Sequence, residues 1–149
     1  MSDSVLKLIP VSPRYLPSPA AIEQAIAALR DIFPDADDVR MQLSDQVRFV
    51  DQGANWERVR CPFDKTELST DWWRAAMNRA HQKGFDDLLV TLPCCNRTSS
   101  LNELHYEWPA GFARLSLEAR NPGKDLDVAE TRLLEEILGS SLRKIWAHY

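Results

Sequence analysis

Apolar side chains recur at helical spacing in three segments of the chain, and each segment opens with residues that suit a helix N-terminus. The first segment starts with Ser18 as N-cap and Pro19 at the first helical position. Its apolar stripe consists of Ile22, Ile26, Leu29 and Phe33, and Pro34 ends it. The second segment predicts a helix that starts near Ser69 and ends at Gly84, a residue that favours the C′ position.

The third segment starts with Asp127 and Glu130, which are spaced as a capping box. The stripe that follows consists of Leu134, Leu138, Ser141, Leu142 and Ile145. We therefore predict a helix that runs close to the C-terminus, with a weak point at Gly139 and the two serines after it, where it could bend.

Between these helices apolar residues alternate with polar ones, which is the pattern of strands buried on one side. A turn at 52–55 predicts a hairpin that pairs Gln46–Asp51 with Trp56–Cys61. Further strands are expected at Val5–Ile9, Leu88–Leu92 and Leu104–Trp108. The first of these is placed at a sheet edge, because it ends in a proline-rich connector.

The segment Phe112–Arg120 also alternates, with small and apolar residues on one face and polar residues on the other. Arg114 and Glu118 lie on the polar face, which is expected to meet water or a partner. The order of the elements predicts a single α+β domain over residues 1–149, with an antiparallel or mixed sheet and three helices largely on one face.

Composition narrows the classes of function. The chain has 149 residues, 44% hydrophobic and 27% charged, which is typical of a globular domain and not of a disordered one. Its net charge of −4 disfavours nucleic acid and anionic membranes and favours a basic protein partner. No apolar run is long enough to span a membrane, and the N-terminus has no secretory pattern. Three cysteines, two of them adjacent, indicate a reducing cytoplasm.

The cysteines form the most specific local feature. Cys61-Pro62-Phe63-Asp64 is spaced like a zinc knuckle, in which the first and fourth residues bind the metal, and Cys94 and Cys95 follow about one helix later. This pattern predicts a zinc site of Cys61, Cys94 and Cys95 with either Asp64 or His105 as the fourth ligand. The alternative is that the cysteines are buried as small apolar residues.

Several longer motifs accompany the cysteines. They are Cys61-Pro62-x-Asp64, Trp72-Trp73, Gly84-Phe85, Pro93-Cys94-Cys95, Ser100-Leu101-Asn102-x-Leu104-x-Tyr106-x-Trp108-Pro109 and Gly111-Phe112-Ala113-Arg114. Together they resemble a group of small, uncharacterised bacterial proteins with a C-P-x-C knuckle and a Cys-Cys pair. The resemblance covers roughly the middle half of the chain and implies a zinc-ribbon-like insert, but no particular activity. Asp64 departs from the pattern of the group.

Enzymatic chemistry finds little support in the sequence. A thiol dyad would need Cys94 or Cys95 beside His81 or His105, and no oxyanion loop or helix N-terminus follows the cysteines to activate them. The five glycines form no phosphate-binding or dinucleotide-binding loop. We therefore expect a protein that is not an enzyme, with a thiol enzyme or redox sensor as the least favoured alternative.

The tryptophans indicate a binding surface. Trp73 and Trp108 fall on apolar stripes and are expected in the core, whereas Trp56, Trp72 and Trp146 are harder to bury. Exposed tryptophans flanked by charge are typical of interface hot spots. The leading interpretation is therefore a non-enzymatic cytoplasmic domain that binds another protein, as immunity or antitoxin-like proteins do. The alternative is a structural domain that zinc stabilises.

Overall fold

A computed structural model describes residues 2–149 of the chain. Nine strands and three helices follow one another in this part. In chain order they are β1 (Ser4–Pro10), α1 (Pro19–Ile32), β2 (Asp38–Val50), β3 (Val59–Arg60), β4 (Glu67–Leu68), α2 (Thr70–Gln82), β5 (Leu89–Thr91), β6 (Thr98–Ser100), β7 (His105–Tyr106), β8 (Gly111–Arg120), α3 (Val128–Leu138) and β9 (Leu142–His148). The predicted α+β class is confirmed.

The largest sheet has four antiparallel strands in the order β2-β8-β1-β9. With α1 and α3 these strands follow a βαββαβ sequence, which is the ferredoxin-like arrangement. Alternate residues of the strands pack against the two helices in one apolar core. This core includes Leu6, Leu8, Leu29, Leu115, Leu117 and Leu134.

Residues 51–110 form an insertion between two paired strands of this sheet. The insertion leaves β2 after Val50 and returns at Gly111, and these two residues are partners in the β2–β8 register. It contains α2, a three-stranded sheet in the order β4-β3-β7 and the β5–β6 hairpin. Its apolar side chains form a second core, to which the main sheet contributes Val47 and Phe112, with Phe49 packed against it.

The prediction of one long C-terminal helix was wrong. The capping box of Asp127 with Glu130 starts α3 as expected, but the helix ends at Leu138. Gly139 adopts a left-handed conformation with φ of 72°, and the chain then turns into β9. The expected position of the first strand at an edge was wrong for the same reason, because β9 pairs with β1 and makes it a central strand.

The predicted hairpin between 46–51 and 56–61 does not form. The first segment belongs to β2 and pairs with β8, whereas β3 pairs with β4 and β7. The turn at 52–55 itself is present, with a hydrogen bond from the Asn55 N–H to the Gln52 carbonyl of 3.1 Å. It therefore changes the direction of the chain between two sheets and does not join two paired strands.

The polar face of β8 is less exposed than its sequence predicts. Glu118 is only 7% exposed and Ser116 is fully buried, so of the predicted polar face only Arg120 is exposed. β8 lies between β2 and β1, and in the register Glu118 stands between Arg40 on one side and Lys7 on the other. Long side chains of the two neighbouring strands therefore cover it.

The helix boundaries predicted for the second segment are confirmed. Ser69 is the N-cap of α2, and its hydroxyl accepts a hydrogen bond from the Trp72 N–H of 3.0 Å. Gly84 has φ of 63° just after the helix. Within residues 2–149, none of the helices has the length and apolar character that a membrane crossing requires.

Candidate metal centre

The first cysteine lies in a tight loop that joins β3 to β4. The Cys61 N–H donates to the Thr66 carbonyl at 2.8 Å, and the Lys65 N–H donates to the Cys61 carbonyl at 3.1 Å. Lys65 adopts a positive φ of 65°, which closes the loop. The Phe63 N–H also approaches the Cys61 sulfur at 3.4 Å. These bonds aim the side chains of Cys61 and Asp64 toward the same side of the loop.

The second loop, between β5 and β6, repeats this backbone pattern. The Leu92 N–H donates to the Arg97 carbonyl at 2.9 Å, and the Asn96 N–H donates to the Leu92 carbonyl at 2.9 Å. Asn96 has φ of 59°, like Lys65 in the first loop. The two loops are therefore equivalent position by position, and we call them the first knuckle (61–66) and the second knuckle (92–97).

This equivalence assigns a place to each candidate ligand. Cys61 corresponds to Leu92 and Asp64 corresponds to Cys95, while a proline follows the first position in both loops. Leu92 thus occupies the place at which a second knuckle would carry its first thiolate. Cys94 corresponds to Phe63, which is not a candidate ligand, so its sulfur is added to those of Cys61 and Cys95.

Four ligand atoms from the two knuckles meet at one point. One atom each of Cys61, Asp64, Cys94 and Cys95 lies within 4.8 Å of all the others, which is close enough to hold a metal ion. The Cys61 and Cys95 sulfurs are 3.9 Å apart, and the Cys94 sulfur is 3.6 Å from an Asp64 oxygen. Ligands of a tetrahedral zinc ion are separated by about 3.8 Å for two sulfurs and about 3.5 Å for sulfur and oxygen.

The four residues differ in burial. Cys61 is fully buried and Cys95 is half-buried, whereas Asp64 and Cys94 are exposed. Cys61 and Leu92 belong to the second core, and Cys95 packs against it. The group therefore lies where the apolar interior of the insertion meets solvent. Packing fixes Cys61 and Cys95, whereas Asp64 and Cys94 face solvent.

A contact between the two loops supports their alignment. The guanidinium of Arg97, in the second knuckle, lies 5.1 Å from the centre of the Phe63 ring in the first. Such a cation–π contact contributes about 0.5–1 kcal/mol at an exposed site. Both side chains are exposed, so the contact joins the two loops at the surface of the protein.

The electrostatics of the group favour a ligand role for Asp64. The Asp64 carboxylate accepts hydrogen bonds from the backbone N–H of Thr66, which has the larger effect, and from the Thr66 side chain. These bonds lower the pKa of the Asp64 carboxyl to about 2, so it is ionised at neutral pH. By contrast, loss of hydration, the neighbouring Cys61 and Cys95 thiols and the Asp64 charge raise the pKa of Cys94 to about 12. Without a metal ion Cys94 is therefore a protonated thiol, which makes it a poor nucleophile.

The structure separates the two residues that the sequence offered as the fourth ligand. Asp64 belongs to the group of four, whereas His105 lies on β7, opposite Arg60 of β3, and is not part of it. One further signal is present in the sequence. A proline at the second position of both loops, Pro62 and Pro93, indicates two related turns and points to Leu92 as the missing ligand position.

The expected partner-binding residues are spread over the molecule. Trp56 and Trp72 are half-buried and pack against the second core, where the Trp56 ring lies 4.6 Å from that of Trp73. Arg114 is half-buried, and its guanidinium donates to the Ser44 carbonyl at 3.1 Å. Glu118 is buried and accepts a hydrogen bond from Ser116. A partner could not reach Glu118 without moving its neighbours.

Of the two tryptophans expected in the core, Trp108 is in fact the most accessible tryptophan of the chain, whereas Trp73 is half-buried against the second core. Trp108 is 40% exposed, because β7 ends at Tyr106 and the chain leaves the sheet there. Together with the half-buried Trp146 of β9 it lines a surface depression of about 340 Å³, whose other residues include Asn55 and His148. Among the predicted partner residues, Trp146 is the one that lines this depression with Trp108.

Comparison of the chain with protein-family models, with curated proteins and with solved structures finds no match.

Proposed function

We propose that the insertion is a zinc-ribbon-like module whose two knuckles hold one structural zinc ion through Cys61, Asp64, Cys94 and Cys95. The observation that carries the proposal is the mutual distance of the four ligand atoms, none more than 4.8 Å from another. The equivalent backbone of the two knuckles supports it, because two facing turns are the usual way to complete a tetrahedral site.

The chemistry of the ligands favours zinc over other metal ions. Three sulfurs with one carboxylate suit a tetrahedral ion of intermediate softness, whereas magnesium and calcium prefer oxygen ligands alone. Four protein ligands leave no position for a substrate, which favours a structural role over a catalytic one. Because thiolates bind metal only when reduced, the proposal places the chain in a reducing compartment such as the cytoplasm.

Metal analysis tests this proposal directly. The full chain, purified under reducing conditions, is expected to carry about one equivalent of zinc. After chelation, titration with Co²⁺ is expected to give the visible absorption of a tetrahedral thiolate site and to saturate at the same ratio. Asp64→Ala should weaken binding by more than the roughly tenfold loss that follows from disturbing an outer-shell partner. Asp45→Ala, an exposed carboxylate in β2, is the matched control.

Two outcomes would contradict the zinc proposal. One is less than about a tenth of an equivalent of metal combined with no uptake by the chelated chain. The other is equal affinity of Asp64→Ala and Asp45→Ala, which would remove the carboxylate from the ligand set.

A second candidate function is recognition of a protein partner, without catalysis, in the manner of immunity or antitoxin-like proteins. The depression lined by Trp108 and Trp146 favours it, since tryptophan is enriched among interface hot spots and these lie in pockets. The net charge of −4 favours a basic partner.

Capture from the lysate of the source organism tests this candidate. We expect a basic protein to be retained in stoichiometric amount by the wild-type chain, and about tenfold less of it by Trp108→Ala. Leu133→Ala, which truncates an exposed apolar residue of α3, should capture as much as the wild type. Equal capture by Trp108→Ala, or the absence of any stoichiometric protein, would exclude this surface.

A further inference from the structure

The face of the main sheet opposite α1 and α3 carries a polar pocket. Leu6, Leu117 and Val39 point into the helix-covered core, so the residues that alternate with them face the other way. On that side a cavity of about 420 Å³ opens, a volume typical of sites for small ligands. Its walls include Lys7, Arg40, Arg48, Arg120, Glu118 and Tyr149, and we call it the arginine pocket.

The three arginines of the pocket have few partners. Arg40 reaches Glu118 only at 3.5 Å, and Arg48 reaches the Gln42 carbonyl only at 3.5 Å. Arg120 approaches Asp3 at 3.7 Å, which is too long for a hydrogen bond. Each guanidinium has five N–H donors, so most donors of this group have no acceptor among residues 2–149.

Arg48 carries the strongest indication of a missing ligand. Its Nε is buried and has no hydrogen-bond partner among the described residues. A buried donor without an acceptor is unfavourable, and more so when it is charged, so such atoms usually have a bound water, ion or ligand. The arginine therefore has a donor available at a place where the protein supplies no acceptor.

Lys7 shows the opposite arrangement in the same pocket. It is 6% exposed, and its ammonium donates to the Asp51 carbonyl, the Asp51 carboxylate and the Tyr149 hydroxyl at 3.0, 3.2 and 2.7 Å. All three of its donors are used. The lysine thus fixes the wall formed by Asp51 and Tyr149, and the available donors are those of the arginines.

Among the charged side chains that line the pocket, the cationic ones outnumber the carboxylates. Lys7, Arg40, Arg48 and Arg120 face three carboxylates, those of Asp3, Asp51 and Glu118. The lining side chains therefore carry one more positive than negative charge, on a chain of net charge −4. A planar guanidinium binds two oxygens of one carboxylate or phosphate at once, which makes arginine the usual residue for such groups.

We propose that the arginine pocket binds the phosphate or carboxylate group of a small metabolite, with Arg48 as the central contact. Arg40 and Arg120 contribute further donors from the two sides, and Phe49 and Tyr149 provide apolar surface for the rest of the ligand. The pocket lies on the main sheet and shares no residue with the metal centre, so the two sites can be tested independently.

Titration with two simple anions tests this inference. Inorganic phosphate and succinate are added separately to the full chain at constant ionic strength, and binding is followed by NMR at the Arg48 Nε–H. We expect a saturable shift with a Kd of about 1 mM or tighter for at least one of them. Saturation by phosphate alone assigns a phosphate ester, saturation by succinate alone assigns a carboxylate, and saturation by both supports their shared chemistry.

Variants locate the binding. Arg48→Gln, in which binding is followed at the Nε–H signals of Arg40 and Arg120, is expected to weaken it by about tenfold or more, because it removes a charge-assisted contact. Arg120→Gln, at the more exposed rim, should weaken it less and covers the case in which Arg48→Gln unfolds. Arg74→Gln, on the exposed side of α2, should bind as the wild type does. No saturable shift for either anion by about 20 mM, or unchanged affinity in both pocket variants, would overturn the proposal.

Discussion

Replacement of Cys61 by serine is expected to abolish zinc binding and to lower the melting temperature of the zinc-loaded chain by about 10 °C. Cys61 is fully buried and is the ligand whose position the first knuckle fixes most strongly. A ligand that binds only the folded state stabilises it by about 4 kcal/mol at a thousandfold excess over its Kd. In a domain of this size each kcal/mol corresponds to about 2–4 °C.

A chelator separates the contribution of the metal from that of packing. In the wild-type chain, excess chelator should lower the melting temperature nearly as much as Cys61→Ser does, whereas it should leave the variant unchanged. Calorimetry with and without chelator measures both effects. A Cys61→Ser protein that still responds to chelator, or a wild type that does not respond, would contradict the assignment of Cys61 as a zinc ligand.

Asn102→Leu is expected to destabilise the chain by about 3 kcal/mol. Asn102 is 3% exposed, and its side-chain oxygen accepts from the Phe112 N–H at 2.9 Å and from Arg143 at 3.1 Å. Its amide nitrogen donates to the Val11 carbonyl at 3.2 Å. Leucine has a similar volume but leaves the Phe112 N–H without an acceptor and the Val11 carbonyl without this donor, and each such loss costs about 1–3 kcal/mol. Arg143 keeps the backbone carbonyls of Asn102 and Ala110 as acceptors.

Urea unfolding measures this loss of stability. Asn78→Leu, on an exposed position of α2, should change stability by no more than about 0.5 kcal/mol. Asn102→Asp keeps an acceptor for Phe112 and Arg143, so its loss should be smaller than that of the leucine variant. Equal stability of Asn102→Leu and Asn78→Leu would show that the network of Asn102 does not hold the insertion to the sheet.

Local signals in the sequence predicted the starts of the helices well. Ser18, Ser69 and Asp127 are N-caps in the structure, because a side chain that binds its own backbone needs no distant partner. The end of α3 was missed because Leu142 and Ile145 continue the helical spacing of Leu134 and Leu138. Gly139 ends the helix, and the pairing of β9 with β1 stabilises the strand after it. That pairing joins the two ends of the chain, and local spacing carries no information about it.

The candidate site was predictable in its composition and not in its assembly. The spacing of Cys61 and Asp64 predicted one knuckle, but the choice between Asp64 and His105 depended on the three-dimensional arrangement of β3 and β7. The exposure of Trp108 was likewise beyond a pattern of alternation, because it depends on where a two-residue strand ends. The arginine pocket draws on three strands, β1, β2 and β8, and on residues outside them such as Tyr149, so no short segment of sequence reveals it.

The pairing of Val50 with Gly111 bears on how such a chain can acquire an insertion that carries candidate metal ligands. A segment that starts and ends at adjacent positions closes a loop, and each doubling of its length adds only about 0.6 kcal/mol to the entropy of closure. β2 and β8 would pair in the same register whether a short turn or a long insertion connected Val50 to Gly111. The main sheet and its two helices can therefore tolerate gain, exchange or loss of ligands in the insertion. Val47, Phe49 and Phe112 are the side chains of the main sheet whose packing would change, because they contact the second core.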